Sequence, residues 1–186
     1  MRQRFFRLAV TALVLSFVAL SNQGLAQESP DACLMFTEAD AGGLFQENVS
    51  PGVARDALTP AGSSCRYTYT KDGGVFGMTL TYCTDASIAE EGIFDSAADV
   101  MMRQLRARKN SAHASTLLKI IPGLGDEAFW DGTGLWMRKG GGLVHIKPSP
   151  HLAGSFANME AADAAMEERS RELAVQAAGV ILPRLP

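Results

Sequence analysis

Cys65-Arg66-Tyr67-Thr68-Tyr69-Thr70 and Phe76-Gly77-Met78-Thr79-Leu80-Thr81-Tyr82 alternate apolar and polar residues on either side of Asp72-Gly73-Gly74. Alternation of this kind is the pattern of a strand with one buried face, and glycines between two such runs mark a hairpin. With Gly73-Gly74 as a two-residue loop, Tyr67 would face Leu80 and Tyr69 would face Met78. Cys65, Tyr67 and Tyr69 then share the core face with Phe76, Met78, Leu80 and Tyr82, because successive strand residues point to opposite sides of a sheet.

Working outward from the hairpin, the period changes. Residues 88–109 carry Phe94, Ala98, Met101 and Leu105 at helical spacing, which predicts one helix. A three-strand meander is expected over residues 127–130, 135–139 and 143–147, separated by Asp131-Gly132-Thr133-Gly134 and Gly140-Gly141-Gly142. Pro148, Pro150 and Gly154 then break the chain, and Asn158 is a good N-cap for a helix running toward Leu182 and stopped by Pro183. The second half of that helix, residues 173–182, is apolar enough to dock. Upstream of the hairpin, Thr37 and Asp40 resemble a capping box opening a helix over residues 38–45. Residues 27–32 read as a loose lead, and Pro51-Gly52 and Pro60-Ala61-Gly62 as the punctuation of a loop. The order helix, hairpin, helix, meander, helix predicts an α+β domain with a mostly antiparallel sheet flanked by helices.

Residues 1–26 read as a signal peptide, with Arg2, Arg4 and Arg7 ahead of an apolar run over residues 8–20 and Gly24-Leu25-Ala26 as a small-residue cleavage site. Residues 27–186 are then one globular domain, periplasmic or secreted. Three of the 17 basic residues and none of the 20 acidic ones lie in the signal, so the remainder carries 14 against 20, a net charge of −6. Such a balance argues against nucleic acid, whose binding depends on Lys and Arg at phosphates. Arg103, Arg106, Arg108 and Lys109 form the one basic cluster, where they complement the dipole at a helix end. No second apolar run is long enough to cross a bilayer, so no membrane span is expected after signal removal.

Three cysteines in an exported chain suggest one disulfide and one free thiol. Cys83 continues the Thr79 and Thr81 face, opposite to Cys65, so a bond between Cys65 and Cys83 would need a bulge or a slip. Pairing of Cys33 with Cys65 is favoured, which leaves Cys83 as an inert buried thiol or, on the alternative reading, a nucleophile or redox centre.

Cys33-Leu34-Met35-Phe36-Thr37-Glu38-Ala39-Asp40, Ser64-Cys65-Arg66-Tyr67, Gly123-Leu124-Gly125-Asp126-Glu127-Ala128-Phe129 and the closing apolar helix occur in that order over residues 33–182. In this the chain resembles a group of small bacterial extracytoplasmic domains of unknown function with a PsbP-like sandwich, among them secreted lipoproteins and the outer sensor domains of membrane kinases. The resemblance implies an antiparallel sheet flanked by helices, a Cys33 to Cys65 bridge, and a binding or accessory role without catalysis. This chain departs from the group in its extra cysteine and in having no lipid attachment site.

No catalytic constellation stands out. Gly123-Leu124-Gly125 is followed by a strand where a phosphate loop needs a helix, and Asp126 and Glu127, as neighbours in a strand, would point to opposite faces. Ser63-Ser64 has no nucleophile-elbow setting. His113, His145 and His151 lack zinc-site spacing. His145, near Met137, is read either as a contributor to a soft-metal site or, preferably, as a partly buried, hydrogen-bonded histidine. Trp130 and Trp136 either line an apolar pocket, with Phe129 on the other face, or pack in the core. The sequence therefore points to a non-catalytic domain binding an envelope protein or a small molecule, with Trp130, Trp136 and His145 as the first surface to consider and no cofactor or metal expected. A thiol-dependent enzyme or redox protein using Cys83 is the alternative.

Overall fold

The computed structural model describes residues 31–186, so the expected signal peptide lies outside the described residues. The chain is α+β. Among the described residues, seven antiparallel strands form one sheet in the order β1-β2-β3-β7-β6-β5-β4: β1 Val53–Leu58, β2 Ala61–Lys71, β3 Gly74–Thr84, β4 Lys119–Ile120, β5 Glu127–Trp130, β6 Leu135–Lys139 and β7 Gly142–Ser149. The helices are α1 Ala32–Met35, α2 Glu38–Phe45, α3 Asp85–Glu91, α4 Ala97–Lys109, α5 Ala114–Leu117 and α6 Met159–Ile181, the last followed by a 3-10 turn at Leu182–Arg184.

The sheet has a core on each face. On the first, Cys65, Tyr67, Met78, Leu80, Trp130, Leu135, Met137 and Ile146 pack against α1, α2 and the alanine-rich stripe of α6. That stripe is Leu173, Ala174, Ala177, Ala178 and Ile181, at the three- and four-residue spacing that keeps one helix face inward. On the second face, Cys83, Phe129, Trp136 and Leu143 pack against Ile88 of α3 and Ala97, Val100 and Met101 of α4.

The hairpin keeps its expected faces but not its register. Tyr67 faces Met78 and Tyr69 faces Phe76, a shift of two positions that leaves every side chain on its original face. The loop is Asp72-Gly73, both at positive φ (49° and 77°), as a type I′ turn requires. The single helix expected over residues 88–109 is two. Gly92, in the left-handed region at φ 78°, ends α3, and Ser96 accepts from the Asp99 N–H to start α4. Ala98, placed on the inward stripe by the sequence, is exposed, and Ala97 and Val100 are buried in its stead.

The capping box of α2 is present, with Thr37 Oγ1 accepting from Asp40 N and Asp40 Oδ2 accepting from Thr37 N. Where a loose lead was expected, Asp31 caps α1 from Ala32 onward. Part of the expected loop after Pro51 is an edge strand, β1, with five of its six residues exposed. At the other end, β7 runs through Pro148. The last β6 partner is opposite Ile146, so at Pro148 only β3 is alongside and the missing N–H is tolerated on the open side.

Candidate functional site

On the second face, α3 and α4 cover only part of the sheet. Where they stop, a cleft of about 290 Å³ opens between the C-terminal half of α4, the β1–β2 turn and the strands β3, β6 and β7. Its floor is Trp136 and His145, cross-strand neighbours whose rings stack 3.8 Å apart at 14°. Phe129, opposite Trp136 on β5, continues the stack inward at 6.4 Å.

A buried carboxylate fixes this floor. Asp131, in the β5–β6 turn, has a side chain only 2% exposed. Its Oδ1 accepts from Thr133 N, Thr133 Oγ1 and Gly134 N, each at 2.9 Å. Its Oδ2 accepts from the Trp136 indole at 3.0 Å and from Arg108 at 3.1 Å. Burial alone would raise its pKa, but the Thr133, Trp136 and Gly134 hydrogen bonds outweigh it and hold the carboxyl at about 2. Arg108 is steadied in turn by Gln104, one turn earlier on α4, at 3.1 Å.

His145 behaves in the opposite sense. Burial, reinforced by the positive charges of Lys147 and Arg108 and opposed by Asp131, pushes its pKa down to about 3, so the ring is neutral at physiological pH. Its Nε2 is buried without a hydrogen-bond partner. It lies against Gly134, where a Cβ would come within 2.4 Å of it. The ring is thus partly buried as expected but not hydrogen-bonded through Nε2.

The structure brings together two of the three residues of the expected surface. Trp136 and His145 line the cleft, whereas Trp130 pairs with Leu135 and points into the first core, donating its indole N–H to Glu167 at 3.1 Å. Phe129, expected on the far face from Trp136, shares its face. Met137 lies opposite Val144 in the first core, so it does not join His145 in a soft-metal arrangement. Among the described residues no group of three or more His, Cys, Asp and Glu side chains is placed to hold a metal ion.

The other candidates are apart from the cleft. His113 is exposed at the start of α5, and His151 stands edge-on to Phe76 with Nε2 3.1 Å from Asp72. Ser63 Oγ accepts from Ala32 N at 2.6 Å. Asp126 and Glu127 do not point apart as strand neighbours would, because Asp126 lies in the turn before β5. Both pair with Arg138, at 2.8 and 2.7 Å.

Cys33 and Cys65 form the disulfide, and Cys83 is free. Cys83 sits beside Leu143 at the inner end of the cleft, on the same face as His145. Its thiol is 1% exposed and donates to Pro60 O at 3.5 Å. Burial, aided by the negative charge of Glu91, pushes it up to about 12. Burial therefore favours the thiol over the thiolate at neutral pH. Iodoacetamide at pH 8 is expected to leave Cys83 unmodified in the folded protein and to label it once the protein is denatured, as read by intact mass. Native labelling at the rate of a free thiol would restore the nucleophile reading.

Sequence reasoning missed Asp131, Arg108 and Lys147. The Asp131-Gly132 step was legible as a turn, but its link to Arg108 spans 23 residues and exists only because α4 docks over the sheet. Compared with known proteins, the chain matches no family model, no curated protein and no solved structure. Among the described residues, no helix is long and apolar enough to cross a membrane.

Proposed function

We propose that this chain is an exported, non-catalytic domain that binds a small ligand in the cleft over Trp136 and His145. The observation that carries the reading is a hollow of about 290 Å³ whose floor is held by the five hydrogen bonds to Asp131, while Thr81 and Lys147 on its walls make no side-chain hydrogen bond or ion pair to another described residue. A rigid floor with unpaired polar groups above it is the usual composition of a small-molecule site. Export, to the periplasm or the medium, is supported by the Cys33–Cys65 disulfide and by the signal-like residues 1–26. The resemblance to PsbP-like extracytoplasmic domains supports a binding role in the same compartment.

The thiol-dependent alternative has one favourable feature, the presence of Cys83 and His145 on one face of the sheet. Both are held in their neutral forms, and the thiol is already engaged with Pro60, so a binding role is the better reading.

Native mass spectrometry of protein purified from an oxidising compartment tests the proposal. The expected result is an added small-molecule mass that vanishes on denaturation and is absent from Thr81→Phe, a variant that fills the cleft and whose folding is checked by thermal melting. No added mass, or one that folded Thr81→Phe retains, would overturn the cleft reading and redirect attention to a protein partner.

A further inference from the structure

Beside the cleft, on the same sheet face, a second hollow of about 90 Å³ has Arg66, Thr68, Thr79, Lys147 and Ser149 as its polar lining, with Val75 and the neighbouring β3 residues completing it. Its construction follows from register. Arg66, Thr79 and Lys147 face one another across β2, β3 and β7, and Thr68, Gly77 and Ser149 form the next row. At about 4.8 Å between strands, the backbones of Arg66 and Lys147 are about 10 Å apart, with the Thr79 hydroxyl between them. The hollow exists because the middle of the second row is glycine. A Cβ on Gly77 would meet Tyr67 O at 1.9 Å, so no side chain fills that position.

The chemistry of this hollow is one-sided. Arg66 and Lys147 are exposed, make no ion pair among the described residues, and have no carboxylate in the lining beside them. Arg55, one row along on β1, is also exposed and unpaired among the described residues. A chain carrying −6 outside its expected signal thus presents an uncompensated positive row here. Two like charges held on either side of a hydroxyl-lined depression raise the local concentration of anions. Arg and Lys with three neighbouring hydroxyls match the several acceptor oxygens of a phosphate better than the two of a carboxylate. Lys147 lines both hollows, so the two adjoin at its side chain.

We propose that the Arg66, Thr79 and Lys147 row binds the phosphate of a small phosphate monoester whose remaining part lies in the cleft over Trp136 and His145. This rests on the cleft reading and assigns it a ligand class.

Amide and indole resonances of the full exported chain, followed by two-dimensional NMR, test it with four probes: inorganic phosphate, phenyl phosphate, benzoate and benzyl alcohol. Phosphate is expected to shift Thr68, Thr79, Lys147 and Ser149 saturably, and phenyl phosphate to shift these and the Trp136 indole while leaving that of Trp130 in place. Lys147→Met and Arg66→Met, exposed positions whose folding the same spectra report, should each weaken phosphate about tenfold or more. Binding of phosphate that is equally tight in both variants would overturn the assignment. Benzoate binding as tightly as phenyl phosphate would also overturn it in favour of a carboxylate. Saturable shifts from benzyl alcohol at Trp136 with no response to phosphate would remove the phosphate while leaving the cleft intact, whereas failure of every probe would count against both.

Discussion

Replacing Cys33 and Cys65 together by alanine is expected to lower the unfolding free energy by about 4 kcal/mol, the chain-entropy value for a closed loop of this length. The bridge joins residues 32 apart and holds α1 against β2. Without it, this segment keeps Ala32 N donating to Ser63 Oγ and the Tyr67 hydroxyl donating to Phe36 O, with Phe36 still fully buried. Those contacts should keep the native topology, so the loss arises mainly from the freedom of the unfolded chain. Urea unfolding of the double variant should show a lower midpoint and, because its unfolded state is more open, a steeper denaturant dependence. A cost below about 1 kcal/mol would mean that the segment is held almost wholly by its noncovalent contacts. Since Cys83 is separate from the bridge and buried, reducing agent should mimic the double variant and leave the cleft unchanged at low denaturant.

Which parts of this architecture were legible follows from where physical pattern is local. The faces of β2 and β3 were readable because burial on one side imposes alternation, and they survived a register error of two positions. That error was itself avoidable, since Asp-Gly suits the two positive φ values of a type I′ turn at least as well as Gly-Gly. Strand β1 was illegible because nearly all of it is exposed on both faces and so carries no hydrophobic period. The capping boxes and the Asn158 N-cap are short-range hydrogen bonds, and those of α2 and α6 were read correctly. The sequence reading lets Trp130 and Trp136 line one pocket, yet the turn between them sets Trp130 against Leu135 and so places the two indoles on opposite faces. Register reasoning applied to the meander as it was to the first hairpin would have separated them. The cationic row was beyond such reasoning, since Arg66, Thr79 and Lys147 become neighbours only once β7 is known to lie beside β3.

The second large effect is expected at Asp131, where Asn should cost about 3 kcal/mol, the upper range for leaving buried hydrogen-bonding groups unsatisfied. The isostere retains an acceptor for Thr133 and Gly134 but turns an amide donor toward the Trp136 indole and Arg108, both of which also donate. Arg108→Gln should cost much less, because the Arg108 side chain is 30% exposed and its removal leaves Asp131 four hydrogen bonds. The pH dependence separates charge from shape. Asp131 is held at about 2 in the fold, against 3.8 for the ordinary side chain, so its contribution is complete above the unfolded value and is lost as pH falls from about 4 through 2. Wild-type stability should therefore decline over that window more steeply than that of Asp131→Asn, with Asp40, held at about 2 by Arg184, supplying part of the slope common to both. Parallel acid slopes would show that the carboxylate is not what anchors the turn. The same variant reports on function: with its indole no longer held, Trp136 can leave the His145 stack, so the near-ultraviolet signal of Trp136 and ligand retention in the cleft should fall together, whereas Arg108→Gln, which leaves the indole bonded to Asp131, should preserve the near-ultraviolet signal.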